Sequence, residues 1–159
     1  MATRSQNSKH LLIDTLPSAA GLRFALIVSK WNSEITDNLF EGAHQILQQQ
    51  QAKQIDRFDV PGSFELVYAS RIAMEKKYDA VIAIGSVIRG ETSHFDYVCQ
   101  GVANGIQQLN AMGTVPVIFC VLTDDTLDQA KDRSGGRHGN KGTEAAVAAL
   151  QMSKLRAIQ

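Results

Sequence analysis

The sequence has little of what marks several specialised classes of protein. It contains two cysteines and three prolines in 159 residues, and Cys99 and Cys120 form neither a C-x-x-C motif nor a disulfide framework, so a reducing cytoplasm fits best. The longest apolar run, residues 115–122, is far short of the roughly 20 residues that span a bilayer. The polar amino terminus lacks the apolar stretch of a secretion signal. We therefore expect a cytoplasmic protein that has no membrane span.

An excess of one charge is also absent. Sixteen basic and sixteen acidic residues give a formal net charge of zero, and 20% of the residues are charged. This balance disfavours both an unfolded chain and a surface that grips nucleic acid along its whole length. Since 44% of the residues are apolar, the chain can fill the core of one ordinary domain.

Two kinds of hydrophobic pattern alternate along the chain. Continuous apolar runs rich in strand formers predict strands, and apolar residues at three- and four-residue steps predict helices. The predicted strands are residues 22–29, 55–60, 80–87 and 115–122. The predicted helices are a segment from residue 34 to about 47 and residues 64–76, 94–112, 126–133 and 143–158. The glycine-rich segment 134–142 is predicted to be a loop.

This alternation predicts the α/β fold class: a three-layer αβα sandwich around a flavodoxin-like, doubly wound sheet of four parallel strands. Residues 1–20 are interpreted as an N-terminal arm and residues 21–159 as a single domain. Residues 11–13, Leu-Leu-Ile, are a candidate extra edge strand, added either to this sheet or to that of a neighbouring subunit.

Candidate ligand-binding residues follow the predicted strands, because ligands of open parallel sheets bind beyond the carboxyl ends of the strands. Ser93 to Asp96 has the S-x-x-[DE] form of a helix start, which places His94 in the first helical turn. The positive potential there disfavours an imidazolium, so His94 is a candidate general base. The nearby backbone amides around Gly90, Glu91 and Thr92 can bind an anion. The alternative is a surface histidine beside a helix cap.

The other loops have one functional and one purely structural interpretation each. Trp31, the single tryptophan, is either a stacking platform for a flat heterocycle or a plug in the core. The turn at Pro61 and Gly62 exposes backbone N–H groups of Phe64 and Glu65, which either hold a polyol chain or simply start a helix.

Arg133, Arg137 and Lys141 surround the glycine-rich segment and form either a phosphate site or a solvated basic turn. Two nucleotide motifs, G-x-x-x-x-G-K-[ST] and G-x-G-x-x-G after a strand, are missing, which argues against nucleoside triphosphate hydrolysis and a dinucleotide site. The other histidines and the cysteines lack metal-ligand spacing. We expect neither a metal nor a cofactor.

Taken together, these loops resemble one family, the 6,7-dimethyl-8-ribityllumazine synthases of riboflavin biosynthesis. The resemblance spans most of the chain, and the order and spacing of its segments make it specific. The segments are SKWN at 29–32, VPGSFELV at 60–67, KKYDAVIAIGSVIRGETSHFDYV at 76–98, VPVIFCVLT at 115–123 and GNKGTEAA at 139–146.

The resemblance implies a transferase that joins 5-amino-6-(D-ribitylamino)uracil to 3,4-dihydroxy-2-butanone 4-phosphate, without a cofactor or metal, and releases phosphate and water. It implies that His94 transfers protons and that Arg133 pairs with the phosphate. The other implied contacts are Trp31 stacked on the pyrimidine; Ser63, Phe64 and Glu65 at the ribityl chain and ring edge; Ser86, Val87 and Ile88 along the pyrimidine pocket; Glu91 and Thr92 at the phosphate; and Phe119 and Lys141 from an adjacent subunit.

The resemblance also implies a homo-oligomer. A pentamer is the minimum, and the short turn at residues 135–140 is similar to that of members that form a sixty-subunit icosahedral capsid, for which riboflavin synthase is a candidate partner.

Two rival functions belong to other classes. One is a flavin- or lumazine-binding module, and the other is a structural shell protein without activity.

Overall fold

A parallel sheet forms the centre of the computed structural model, which describes residues 16–158. Its strand order is β2-β1-β3-β4, and every neighbouring pair is parallel. The strands are β1 Arg23–Ser29, β2 Gln54–Val60, β3 Ala80–Ile88 and β4 Val117–Asp124. The predicted number, order along the chain and direction of the strands are confirmed. The last strand begins and ends two residues later than predicted.

Five helices alternate with these strands in the described chain. They are α1 Ser33–Gln49, α2 Leu66–Met74, α3 His94–Met112, α4 Leu127–Arg133 and α5 Lys141–Arg156. The periodic residues of α1, such as Ile35, Leu39 and Ala43, are buried, as their three- and four-residue spacing predicts. The helices therefore form where apolar residues share one face.

The core has two halves, one on each face of the sheet. Successive strand residues point to opposite faces, so Phe24 and Leu26 pack with α1 and α5, while Ala25 and Ile27 pack with α2 and α3. Because helices cover both faces, the central strands β1 and β3 are apolar at most positions, which explains their uninterrupted runs in the sequence, whereas the edge strand β2 carries Asp56, Arg57 and Asp59. The predicted three-layer sandwich is confirmed.

The glycine-rich segment corrects a prediction. It is not simply a loop but a small antiparallel pair, β5 Ser134–Gly136 and β6 Gly139–Asn140. Gly135 and Gly139 have φ values of 133° and 74°, a region that glycine enters without steric cost. Asp132 pairs with Arg137 across the turn. We call this segment, residues 134–140, the glycine hairpin.

The hairpin also sets the start of α5. The side-chain oxygen of Asn140 accepts a hydrogen bond from the backbone N–H of Gly142 at 2.8 Å, and its Nδ2 donates to the backbone oxygen of Asn38 in α1 at 2.7 Å. This cap satisfies an otherwise unpaired amide at the beginning of the helix. The same side chain thus joins α5 to α1.

The first described residues pack on the domain. Ala19 is fully buried, Leu16 packs against the core, and Ala20 forms a bridge with Ala52. The candidate edge strand at residues 11–13 lies outside the described residues. Within residues 16–158, no helix has the length and apolar character needed to cross a membrane.

Candidate active site

The crevice between the loops after β1 and β3 is the natural ligand site of this sheet. The strand order reverses there, and open α/β sheets bind ligands at such a switch point. Asn32 joins the two loops, because its Nδ2 donates a hydrogen bond to the backbone oxygen of Ser86 at 3.0 Å. Asn32 has φ 58° and ψ 47°, a left-handed conformation that asparagine tolerates better than most residues. Sequence reasoning gave Asn32 no role, although its residue type after a strand is a turn signal.

Trp31 lies beside this crosslink with its ring in the open. It is 72% exposed, so the alternative that it plugs the core is wrong. An aromatic ring held at the mouth of a crevice can stack on a flat heterocycle, and such pairs contribute about 0.5–1.5 kcal/mol beyond area burial. The structure therefore favours the stacking platform.

The turn after β2 reaches across β3 to α3. Ser63 is 6% exposed, and a Cβ on Gly85 would lie only 2.6 Å from its Oγ, so Ser63 packs directly on β3. The Phe64 ring packs in the same way on Gly101 of α3. A Cβ added to Gly101 would lie only 2.7 Å from the ring. Glu65 is exposed and occupies the N-cap position of α2 without a side-chain capping bond; the helix begins at Leu66, two residues later than predicted. Glycine is required at both contact points.

The end of β3 supplies the floor of the crevice. Ser86 is 1% exposed, and its Oγ has no hydrogen-bond partner among residues 16–158. Val87 and Ile88 are half-buried. These residues pair in register with Leu122, Thr123 and Asp124 of β4.

His94 begins α3, as predicted, and its side chain is exposed. The cap differs from the sequence motif, because the side chain of Ser93 makes no capping bond. Instead Thr92 Oγ1 accepts a hydrogen bond from the backbone N–H of His94 at 3.3 Å. Glu91 and Thr92 are exposed in the loop before the helix, where free amides and the helix dipole favour an anion.

Arg89 fixes the position of this loop, a role that sequence reasoning missed. Its Nε donates to Asp125 at 2.8 Å, its Nη2 lies 3.2 Å from Asp96, and its guanidinium lies 4.1 Å from the Phe95 ring centre. The hydrogen bonds that Arg89 donates to the carboxylates of Asp125 and Asp96 raise the pKa of Arg89 above its ordinary value. The contacts tie the loop after β3 to the loop after β4. No motif predicts the pair with Asp125, because the two residues are 36 positions apart in the sequence.

Three predicted residues line a second site, on the free edge of β4. Phe119, Arg133 and Lys141 line a cleft of about 480 Å³. Arg133 Nη1 donates to the backbone oxygen of Gln129 at 2.9 Å, and Lys141 Nζ lies 2.7 Å from Glu144 Oε1. Arg137, by contrast, is paired with Asp132 on the glycine hairpin and does not line the cleft.

The predicted site residues thus fall into two groups in one described chain. We call Phe119, Arg133 and Lys141 the edge group. The switch-point group consists of Trp31, Ser63, Phe64, Glu65, Ser86, Val87, Ile88, Glu91, Thr92 and His94, and none of its members lines the β4 cleft.

Comparison with known proteins shows to which family this chain belongs. A family model described as 6,7-dimethyl-8-ribityllumazine synthase matches residues 21–157. The chain belongs to this family. Relatives carrying the same name include those of Flavobacterium johnsoniae, 52% identical over 98% of this chain and 84% of the relative, and Christiangramia forsetii, 50% identical over 98% and 95%.

A third relative with this name, from Porphyromonas gingivalis, is 51% identical over 99% of this chain and 100% of its own. Family membership confirms the resemblance seen in the sequence. It also agrees with the flavodoxin-like order of the sheet, in which the first strand lies between the second and third.

Proposed function

We propose that the protein condenses 5-amino-6-(D-ribitylamino)uracil with 3,4-dihydroxy-2-butanone 4-phosphate to form 6,7-dimethyl-8-ribityllumazine, the penultimate step of riboflavin biosynthesis. The observation that carries the proposal is the family match over residues 21–157. The switch-point crevice supports it, because Trp31, Ser63 and the loop before His94 lie around the same end of the sheet. A transferase acting on small molecules fits both.

The uracil substrate fits the crevice by shape and by hydrogen bonding. Trp31 offers a face for the pyrimidine, and the half-buried Val87 and Ile88 line the opposite side with backbone groups. The backbone amides of Phe64 and Glu65 follow a tight turn and suit a chain of hydroxyls. These groups hold the substrate amine in place for attack on the ketone.

Proton transfer and phosphate binding take place at the start of α3 and the loop before it. The amine of the uracil attacks the butanone carbonyl to give an imine, phosphate is eliminated, and ring closure releases water. His94 accepts and returns protons, which contributes roughly 10²- to 10⁴-fold. The amides of Glu91 and Thr92 meet the phosphate. Holding both substrates at reacting distance supplies about 7–11 kcal/mol more.

The edge group enters this site from a neighbouring chain. The free edge of β4 supports this, since it carries unpaired backbone groups together with Phe119, Arg133 and Lys141. A homo-pentamer places each edge group against the next chain's switch point. We further propose that residues 11–13 pair with a neighbour's sheet, that the pentamers build a sixty-subunit capsid in the cytoplasm, and that riboflavin synthase associates with it.

Mixing the two substrates tests the proposed reaction. The product's absorption and fluorescence should appear only with both substrates, and His94→Ala should slow turnover while particle mass is unchanged. A binding module would take up a ribitylaminouracil analogue in calorimetry without forming product, and a shell protein would not bind it. Either result contradicts the proposal. A His94→Ala enzyme with the wild-type rate would show that solvent or substrate moves the protons.

A further inference from the structure

Asp124, the last residue of β4, is a carboxylate buried beside the arginine of the edge group. It is 6% exposed, and its Oδ1 lies 3.6 Å from Arg133 Nη1. This distance makes an ion pair but is too long for a hydrogen bond. The other oxygen, Oδ2, is buried and has no hydrogen-bond partner in the described part of the chain. An unsatisfied buried acceptor costs free energy, so a purely structural role explains this residue poorly.

We propose that Asp124 weakens the hold of Arg133 on phosphate, so that inorganic phosphate leaves the site after each turnover. This inference rests on the proposed function, in which Arg133 receives the phosphate of the ketone. A phosphate group held by this guanidinium would lie close to the Asp124 carboxylate, since both residues line the same cleft and Arg133 Nη1 is 3.6 Å from Asp124 Oδ1. Repulsion at such close range is strong in a partly buried site and is poorly screened by salt.

The repulsion between Asp124 and a bound phosphate is useful because of the reaction's chemistry. The same phosphate must be bound as part of the substrate and released as a product. Binding that is equally tight before and after the reaction lowers KM without raising kcat, and it retains the product. The fixed negative charge of Asp124 beside Arg133 lowers the affinity for the phosphorylated ketone and for inorganic phosphate. Inorganic phosphate therefore leaves the site faster.

The other charged groups around Asp124 leave its charge uncompensated except by Arg133. Asp125, the next residue, pairs with Arg89 at 2.8 Å. On α5, Lys141 and Glu144 line the same cleft and pair with each other at 2.7 Å. Asp125 and Asp96 share the single positive charge of Arg89, and the Lys141–Glu144 pair is neutral, so neither set offers a spare positive charge to Asp124. The charge of Asp124 therefore acts mainly on Arg133 and on whatever anion Arg133 binds.

Burial raises the pKa of the Asp124 carboxyl; the nearby Arg133 guanidinium lowers it in part, and Asp125 raises it further. The net result is a pKa above the ordinary value for aspartate. Asp124 consequently loses its charge at a higher pH than a surface aspartate does. The opposition to an anion should fade as the pH falls through this range.

Replacement of the carboxylate by an amide of equal size tests the inference. In Asp124→Asn, inorganic phosphate should inhibit more strongly in competition with the phosphorylated ketone, with the inhibition constant and the KM for that ketone both lower by about threefold or more. Asp128→Asn removes the same charge from the exposed first turn of α4 and should change neither constant. Asp124→Ser, also neutral, should repeat the effect if a buried amide disturbs folding.

A pH series separates this role from a structural one. Sulfate serves as the probe because its charge is constant between about pH 4 and 8. Sulfate inhibition of the wild type should strengthen as the pH falls, and part of that rise should be missing in Asp124→Asn, since every other residue is common to both proteins.

Phosphate inhibition that is unchanged or weaker in both Asp124 variants would overturn the inference. The proposed function fails in a different way: the wild type forms no lumazine, or Arg133→Ala binds phosphate as tightly as the wild type. The two failures are therefore distinguishable in one set of assays.

Discussion

At the scale of single residues, Arg133 is expected to set the affinity for the phosphorylated substrate. Arg133→Ala should raise the KM for the ketone phosphate, because a hydrogen bond to a charged group contributes about 1.5–3 kcal/mol, or roughly ten- to a hundredfold in KM. Steady-state kinetics with the ketone varied measures this change.

Arg137→Ala is the matched control. Arg137 is paired with Asp132 and does not line the β4 cleft, so its removal should leave that KM unchanged. A wild-type KM in Arg133→Ala would remove Arg133 from the phosphate site.

Residue type and position were enough to name candidate site residues, but they did not show whether each side chain points into the core or into solvent. Trp31 was singled out because it follows a buried strand, yet its position allowed both an exposed platform and a core plug. Only the left-handed turn at Asn32 and its bond to Ser86 show how this loop is held. No role was predicted for Asp124 from the sequence, since burial and a missing hydrogen-bond partner are properties of the folded chain.

At the scale of elements, the contact between α1 and α5 depends on Gly142. A Cβ at this position would lie 1.8 Å from the backbone oxygen of Leu39, so Gly142→Ala must push the two helices apart. Overpacking of this kind costs typically 1–3 kcal/mol, and we expect a lower melting temperature in thermal unfolding. Gly90→Ala is the control, because a Cβ there meets no atom within 4 Å. Equal melting temperatures for the two variants would contradict the close packing.

The glycine hairpin should contribute to stability in a pH-dependent way. A hydrogen bond from Arg137 lowers the pKa of Asp132 below its ordinary value, so the stabilisation is present above the ordinary aspartate pKa and is lost as the pH falls through the lowered one. Asp132→Asn should therefore melt below the wild type at pH 7, and the difference should vanish in acid. A difference that persists at low pH would assign the effect to something other than the charge.

Long elements were predictable and short ones were not. The strands and the long helices repeat an apolar pattern over seven or more residues, which fixes their type. The hairpin strands contain three and two residues, too few for any period, and they form because positive-φ glycines turn the chain and Asp132 holds Arg137. Helix α2 began later than predicted, since the residues after Pro61 form a turn that packs on β3.

At the scale of the whole molecule, the proposed sharing of one site by two chains predicts complementation. His94→Ala and Lys141→Ala should each be impaired, because one removes a switch-point residue and the other an edge residue. When the two inactive proteins are unfolded, mixed in equal amounts and refolded together, roughly a quarter of the interfaces should combine two intact halves. Activity should return to about that fraction of the wild type.

Two controls make this result interpretable. Each variant refolded alone should stay inactive, and particle mass should show that mixed assemblies form. Mixed assemblies without recovered activity would place His94 and Lys141 in the same chain's site. Hydrophobic patterns and motif spacing do not specify which copy supplies each residue; only the family resemblance assigns Lys141 to an adjacent subunit.

The uncovered edge of β4 has a consequence for the chain before it meets its neighbours. Among residues 16–158 no strand pairs with this edge beyond β3, and an edge strand beside apolar side chains is a template on which an extended peptide can stack. Rapid overproduction should thus drive newly made chains into insoluble deposits unless the proposed ring forms fast enough to cover the edge. Dilution of the finished particle should expose the same strand and make its heat tolerance depend on protein concentration.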